Sequence, residues 1–204
     1  MKSNNLSVKA YVGDINGGSL MLNDSLILAP HLLPVPTIEA WKQLIVEQNI
    51  LQRKSPHTAL RTAATIRKRL APLGEEYLQD LLKLPERGYV QLLMVALLIQ
   101  SPIVEDFMGY VLAEAKRTYQ PTISKKAWPD FIDDRIRAWP DLLVYSDETL
   151  KKIGKNLLRS LAEAGYLDSV RGKRLQPVYL LPEVKNWLDK LNRPDLISVM
   201  ECTV

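Results

Sequence analysis

Apolar residues recur three and four positions apart along most of this chain, the period of helices that bury one face. The pattern predicts helices over 22–33, 38–50, 53–70, 75–83, 86–100 and 104–119. It predicts three more over 125–139, from Ser146 to Ala164, and over 182–191. Thr37, Ser55 and Ser146 stand where N-caps are expected, Ser124 opens the 125–139 helix, Pro56 suits a first helical position, and Gly165 suits a helix stop. Residues 166–170 and 175–181 are β-prone and flank Arg171-Gly172-Lys173, which predicts a small hairpin; Pro177 confines it to a sheet edge.

The expected fold is therefore mostly α, a compact helical protein with two helix-turn-helix elements. One lies near 38–70, the other near 125–180, the latter winged by the short β-hairpin. A weak seam at 119–124 divides the chain into an N-terminal helical domain, 1–120, and a C-terminal one, 121–204. The longest apolar stretch, 89–100, is shorter than the roughly 20 residues a membrane helix needs, and reads as a buried helix.

Composition narrows the class without deciding it. With 47% hydrophobic residues and 25% charged ones, the 204 residues can build an ordinary core, with disorder expected only within about the first dozen. Cys202 is the only cysteine, so neither an internal disulfide nor a cysteine zinc site is available. The N-terminal stretch lacks the apolar core of a signal peptide, and the expectation is a soluble, cytoplasmic protein with no membrane contact. The net charge of +4 and pI of about 9.1 are only weakly basic, so where the cations fall matters more than their number.

They fall in two helices. The segment RKSPHTALRTAATIRKRL, 53–70, holds six lysines and arginines and no acid. On a helical wheel Ala59, Ala63, Ile66 and Leu70 form the apolar side, with Leu60 at its edge. His57, Arg61 and Lys68 lie opposite, with Thr58, Thr62, Thr65 and Arg69 beside them. Cations interleaved with short hydroxyls suit DNA: arginine grips phosphates or guanine edges, and threonine donates to phosphates or touches thymine methyls. In the helix after Ser146, Leu150, Ile153, Leu157, Leu161 and Ala164 form the apolar face. Lys152, Lys155 and Arg159 make a stripe opposite, flanked by Lys151 and Asn156. Asp147 and Glu148 sit in the first turn, where they complement the helix dipole. Arg171, Lys173 and Arg174 follow on the expected wing.

These residues define the candidate interface. Phosphate contacts are expected from Arg53, Lys54, Arg61, Lys68, Arg69, Lys152, Lys155, Arg159, Lys173 and Arg174. Base reading would fall to Arg61, Thr58, Lys155 or Asn156. His57, Thr65, Lys151 and Arg171 complete the set. Two such modules would let a monomer span an extended site. A protein adaptor docking through the same basic faces, and an RNA-binding helical protein, are the competing classes.

NILQRKSPHTALRTAATIRKRL, VEDFM, LRSLAEAGYL and the closing VMECTV, taken in order over nearly the whole chain, resemble the BrxA family. BrxA is a core component of bacteriophage exclusion (BREX) systems. The resemblance implies a predominantly α-helical protein with helix-turn-helix elements that binds double-stranded DNA. It implies work in phage defence beside other BREX components, and neither a catalytic residue nor a cofactor.

Other features look chemical but read as structure. His31 lies in an apolar run and is expected to pack or cap. His57 is near a helix N-terminus, where a neutral contact to DNA is conceivable. Neither has the spacing of a metal or nucleophile partner. Asp130, Asp133 and Asp134 lie beside Arg135 and Arg137, the composition of a salt-bridged surface. GDINGG, 13–18, lacks the lysine and the strand-to-helix context of a phosphate loop and reads as a turn. Trp41, Trp128, Trp139 and Trp187 fall at helical spacing and are expected to anchor the core.

Overall fold

A computed structural model describes residues 6–203. The chain begins with α1 (Val8–Val12), capped by Ser7, then α2 (Leu22–Leu28), which tightens into a 3₁₀ turn over Ala29–Leu32. α3 (Ile38–Lys42) is capped by Thr37 and widens into a π turn over Gln43–Glu47. α4 (Pro56–Leu70) follows, with Ser55 accepting from the Thr58 amide and Pro56 at its first position. Next come α5 (Glu75–Lys83), α6 (Glu86–Gln100), and α7 (Pro102–Phe107), which runs through a π turn at Met108–Leu112 into α8 (Ala113–Arg117). The C-terminal part holds α9 (Ala127–Ala138), α10 (Asp147–Glu163), α11 (Pro182–Lys190) and α12 (Asp195–Glu201).

Each helix expected from periodicity is present, with shifted ends. α1 and α12 were not expected, because five and seven residues are too few for a period of 3.6 to show. α1 lies within the first dozen residues and buries Tyr11 and Val12.

The β-hairpin is a correction: among the described residues no strand forms, only single antiparallel bridges, Leu167 with Leu175 and Thr122 with Arg174. Side chains take the donors that a ladder would use. Asp168 Oδ1 accepts from the Arg174 amide (2.9 Å) and Ser169 Oγ from the Gly172 amide (2.8 Å). Leu175 donates instead to the Pro121 carbonyl, and Pro177 has no N–H to extend the pairing. The result is a compact basic loop rather than a wing.

α6 runs through the centre, with Leu92–Leu98 all buried, and packs against α4, α5, α7 and α11. Buried side chains from Tyr11 to Cys202 join in one cluster that includes residues on both sides of 119–124. α9 and α10 approach closely at Gly154: a Cβ there would lie 2.4 Å from the Trp128 ring. Trp41, Trp128 and Trp187 are buried as expected, and Trp139 is half-buried against Tyr11. His31 is exposed on its 3₁₀ turn rather than packed. Cys202 is buried, and burial pushes its thiol up to about 11. No single helix among the described residues is long and apolar enough to cross a membrane; α6 and the helix after it are bent by 108° at Ser101.

Candidate nucleic-acid interface

The two basic helices are far apart in sequence, yet both lean on one loop, residues 14–20. From α4, Arg69 Nε donates to Asp14 Oδ2 (2.8 Å) and Nη1 to the Ser19 and Leu20 carbonyls (2.9 and 3.2 Å). One turn earlier, Thr65 lies against Gly17, where a Cβ would come within 2.5 Å of its Oγ1. From α10, Asn156 Nδ2 donates to the Ile15 carbonyl (2.8 Å) and Lys152 Nζ to Asn16 Oδ1 (3.3 Å). Glu163 accepts from Ser19 Oγ and the Leu20 amide, both at 3.0 Å. Ser101 Oγ anchors the loop from below, accepting from the Asp14 and Ile15 amides and donating to Asp14 Oδ1.

This loop changes the expected site. Arg69 is a correction: it is wholly buried and ion-paired with Asp14, with no surface to offer DNA. Thr65 is corrected likewise, since it is buried beneath Gly17 and its hydroxyl donates to the Arg61 carbonyl. On the wheel both sit off the apolar face of α4, about 90–130° from its centre, where the neighbouring chain decides their fate. Asn156 is half-buried and bonded to the loop, so base reading by it is not supported. Arg53 is exposed, but its Nη2 is held by both oxygens of Asp24 (2.6 and 2.9 Å). Arg159 remains exposed while its Nε pairs with Glu163 (2.9 Å).

The other expected residues stay on the surface. Lys54, His57, Arg61 and Lys68 are exposed at the start and along the outer face of α4, with Thr58 half-buried beside them. Lys151, Lys152 and Lys155 are exposed on α10, and Arg171 and Arg174 on the basic loop, with Lys173 half-buried. Among the described residues, Lys54, Arg61, Lys68, Lys151, Lys155, Arg171, Lys173 and Arg174 meet no carboxylate within 4.0 Å. Cations elsewhere often do: Lys83 with Asp80, Arg117 with Glu114, Arg137 with Asp134, Lys185 with Glu201 and Lys190 with Glu76. Arg67, on the inner flank of α4, stacks over Trp41 and donates to the Pro36 carbonyl.

Four participants were invisible in the sequence reading. Asp14 and Gly17 lie in the segment read only as a turn. Lys125 and Lys126, both exposed, join the basic loop because Thr122 bridges to Arg174 and the Ile123 amide donates to the Lys173 carbonyl. A glycine-rich turn carrying one acid is the sole sequence signal for the loop. Neither basic helix follows its predecessor by a tight turn: residues 48–55 separate the α3 π turn from α4, and 139–146 separate α9 from α10.

The sequence profile described as BrxA matches residues 9–192. The chain belongs to the BrxA family. A BREX protein BrxA from Escherichia coli O9:H4 (strain HS) is 43% identical over 193 residues, covering 95% of this chain and 91% of that one. A BREX protein BrxA from Paramagnetospirillum magneticum (strain ATCC 700264 / AMB-1) is 30% identical over 194 residues, covering 95% and 98%. The crystal structure of an uncharacterized protein from Magnetospirillum magneticum superposes with a TM-score of 0.84 at 28% identity, over 95% of this chain and 99% of that chain. The superposition thus extends over nearly the full length of both chains, and the family match takes in the 14–20 loop and both basic helices.

Proposed function

We propose that this BrxA-family protein is a non-enzymatic, double-stranded DNA-binding component of a bacteriophage exclusion system. It works as a monomer in the cytoplasm beside other BREX components. The observation that carries the reading is the set of exposed cations on α4, α10 and the basic loop that meet no carboxylate within 4.0 Å among the described residues, while cations elsewhere are commonly paired. Duplex DNA holds a condensed atmosphere of cations around its phosphates. Unpaired protein cations that neutralise phosphates release those counterions, which drives association. α3 with α4, and α9 with α10, serve as helix-turn-helix units with lengthened turns.

Within this reading Arg61, Lys68, Lys151, Lys155, Arg171 and Arg174 contact phosphates, and Arg61, Lys155 and Thr58 are placed for base edges. Titration of a labelled random-sequence duplex at several salt concentrations tests it. Affinity that falls steeply with salt is expected, with a slope that counts the phosphates engaged. Arg61→Ala combined with Lys68→Ala weakens binding without unfolding the chain. No binding at low salt would refute DNA recognition and leave protein docking by the same faces. Leu143 and Val144, 66% and 76% exposed just before α10, favour that second reading.

A further inference from the structure

The loop that joins the two basic helices has a consequence for how DNA would lie. α4 holds it by Arg69 and Thr65, α10 by Asn156 and Glu163, and Ser101 from beneath. Arg69, Thr65 and Ser101 are buried and Asn156 and Glu163 half-buried, so the loop ties the two helices to each other. Lys152 meets Asn16 while Thr65 meets Gly17, two adjacent residues. α4 and α10 are therefore both anchored on adjacent residues of the same short loop. Each helix also exposes cations away from that contact: Arg61 and Lys68 on α4, Lys151 and Lys155 on α10.

The floor between these rows is free of net negative charge. Asp14 is turned inward onto Arg69, and Glu163 is occupied by Ser19, Leu20 and Arg159. What remains at the floor is Asn16, Gly17 and Gly18, small and partly exposed. We infer that the 14–20 loop is a brace that sets α4 and α10 as two ridges of one cradle for a single continuous duplex. The inference rests on the DNA-binding reading above. Ridges anchored on adjacent residues lie within one helical turn of DNA, about 34 Å, so both meet the same stretch of backbone. Separate duplexes on each ridge would press two polyanions together, each carrying one charge per ~1.7 Å.

The test uses the full chain and a mixed-sequence duplex of about 15 base pairs, long enough for one turn and little more. Native mass spectrometry at low salt gives the stoichiometry, and fluorescence anisotropy over a salt series gives the slope. Wild type is compared with Arg61→Ala/Lys68→Ala, with Lys151→Ala/Lys155→Ala, and with all four changes together. All four are exposed side chains with no ion-pair partner among the described residues, so folding is preserved. One duplex per chain is expected, with each pair lowering the slope of that same event by about 2 and the four together by about 4. Two duplexes per chain would overturn the brace and leave DNA binding intact. A pair variant with the wild-type slope would do the same. A wild-type protein that binds no duplex would instead remove the DNA-binding reading itself.

Discussion

α4 and α10 carry nearly the same one-dimensional pattern, an apolar face opposite a basic one, and the fold treats their flanks differently. At the end of α4 the chain presses Asp14 onto Arg69, and both are desolvated, with side chains 0% and 2% exposed. At the corresponding end of α10, Glu163 meets Arg159 at the surface, with that arginine 66% exposed. The same loop touches both acids' sites: it supplies Asp14 to Arg69, and its Ser19 and Leu20 donate to Glu163. An arginine's distance from the core on a helical wheel sets only whether burial is possible. The segment laid across the flank decides whether it occurs.

The sharpest way to break this comparison is to remove each arginine in turn. Arg69→Met leaves Asp14 buried with Ser101 as its remaining side-chain partner. Loss of one partner of a buried pair costs about 3–5 kcal/mol. Arg159→Met removes an exposed i,i+4 pair worth under about 1 kcal/mol. Urea unfolding of the two variants reads the difference directly, and equal losses would mean that the Arg69 site admits water. A second contrast lies on the inner faces. α4 meets the core with Ala59 and Ala63, whereas α10 uses Gly154 against Trp128. Gly154→Ala puts a methyl into the indole and is expected to cost about 1–3 kcal/mol by overpacking. Unchanged stability would show that Trp128 moves aside freely.

These contrasts also mark what the sequence could tell. Ala59, Ala63, Ile66 and Leu70 were placed on the buried face of α4 by period alone, and they are fully buried. Thr37, Ser55 and Ser146 were assigned as caps, and each accepts from the amide three residues on. Local rules suffice there, because the partner lies within one turn. Arg69 and Thr65 were misjudged because their partner lies about fifty residues away, in a segment whose own pattern says only that it turns. The hairpin failed for the opposite reason: Asp168 and Ser169 offer the backbone closer acceptors than a second strand does. The basic faces were legible as composition. Which of their cations stay unpaired was not, since Asp24 and Asp14 reach Arg53 and Arg69 from distant parts of the chain.

Smaller effects sharpen the comparison at the helix starts. Ser55→Ala and Ser146→Ala each remove one cap and are expected to cost about 1 kcal/mol. Ser146 also bonds to the Thr149 hydroxyl (3.0 Å), so its loss should be the greater of the two by thermal unfolding. The reverse order would show that α10 is held by Trp128 rather than by its cap.

The smallest change separates a free cation from a paired one. Lys68 is exposed on α4 and meets no carboxylate among the described residues, whereas Lys190 on α11 pairs with Glu76 and stacks over Trp187 (4.4 Å). Either lysine changed to alanine leaves the same net charge, so a general attraction between a basic protein and DNA would respond equally to both. A localised contact does not: Lys68→Ala should lower the salt slope by about 1, and Lys190→Ala should leave it unchanged. Equal shifts in the two slopes would mean that charge total, and not the α4 surface, draws the duplex in.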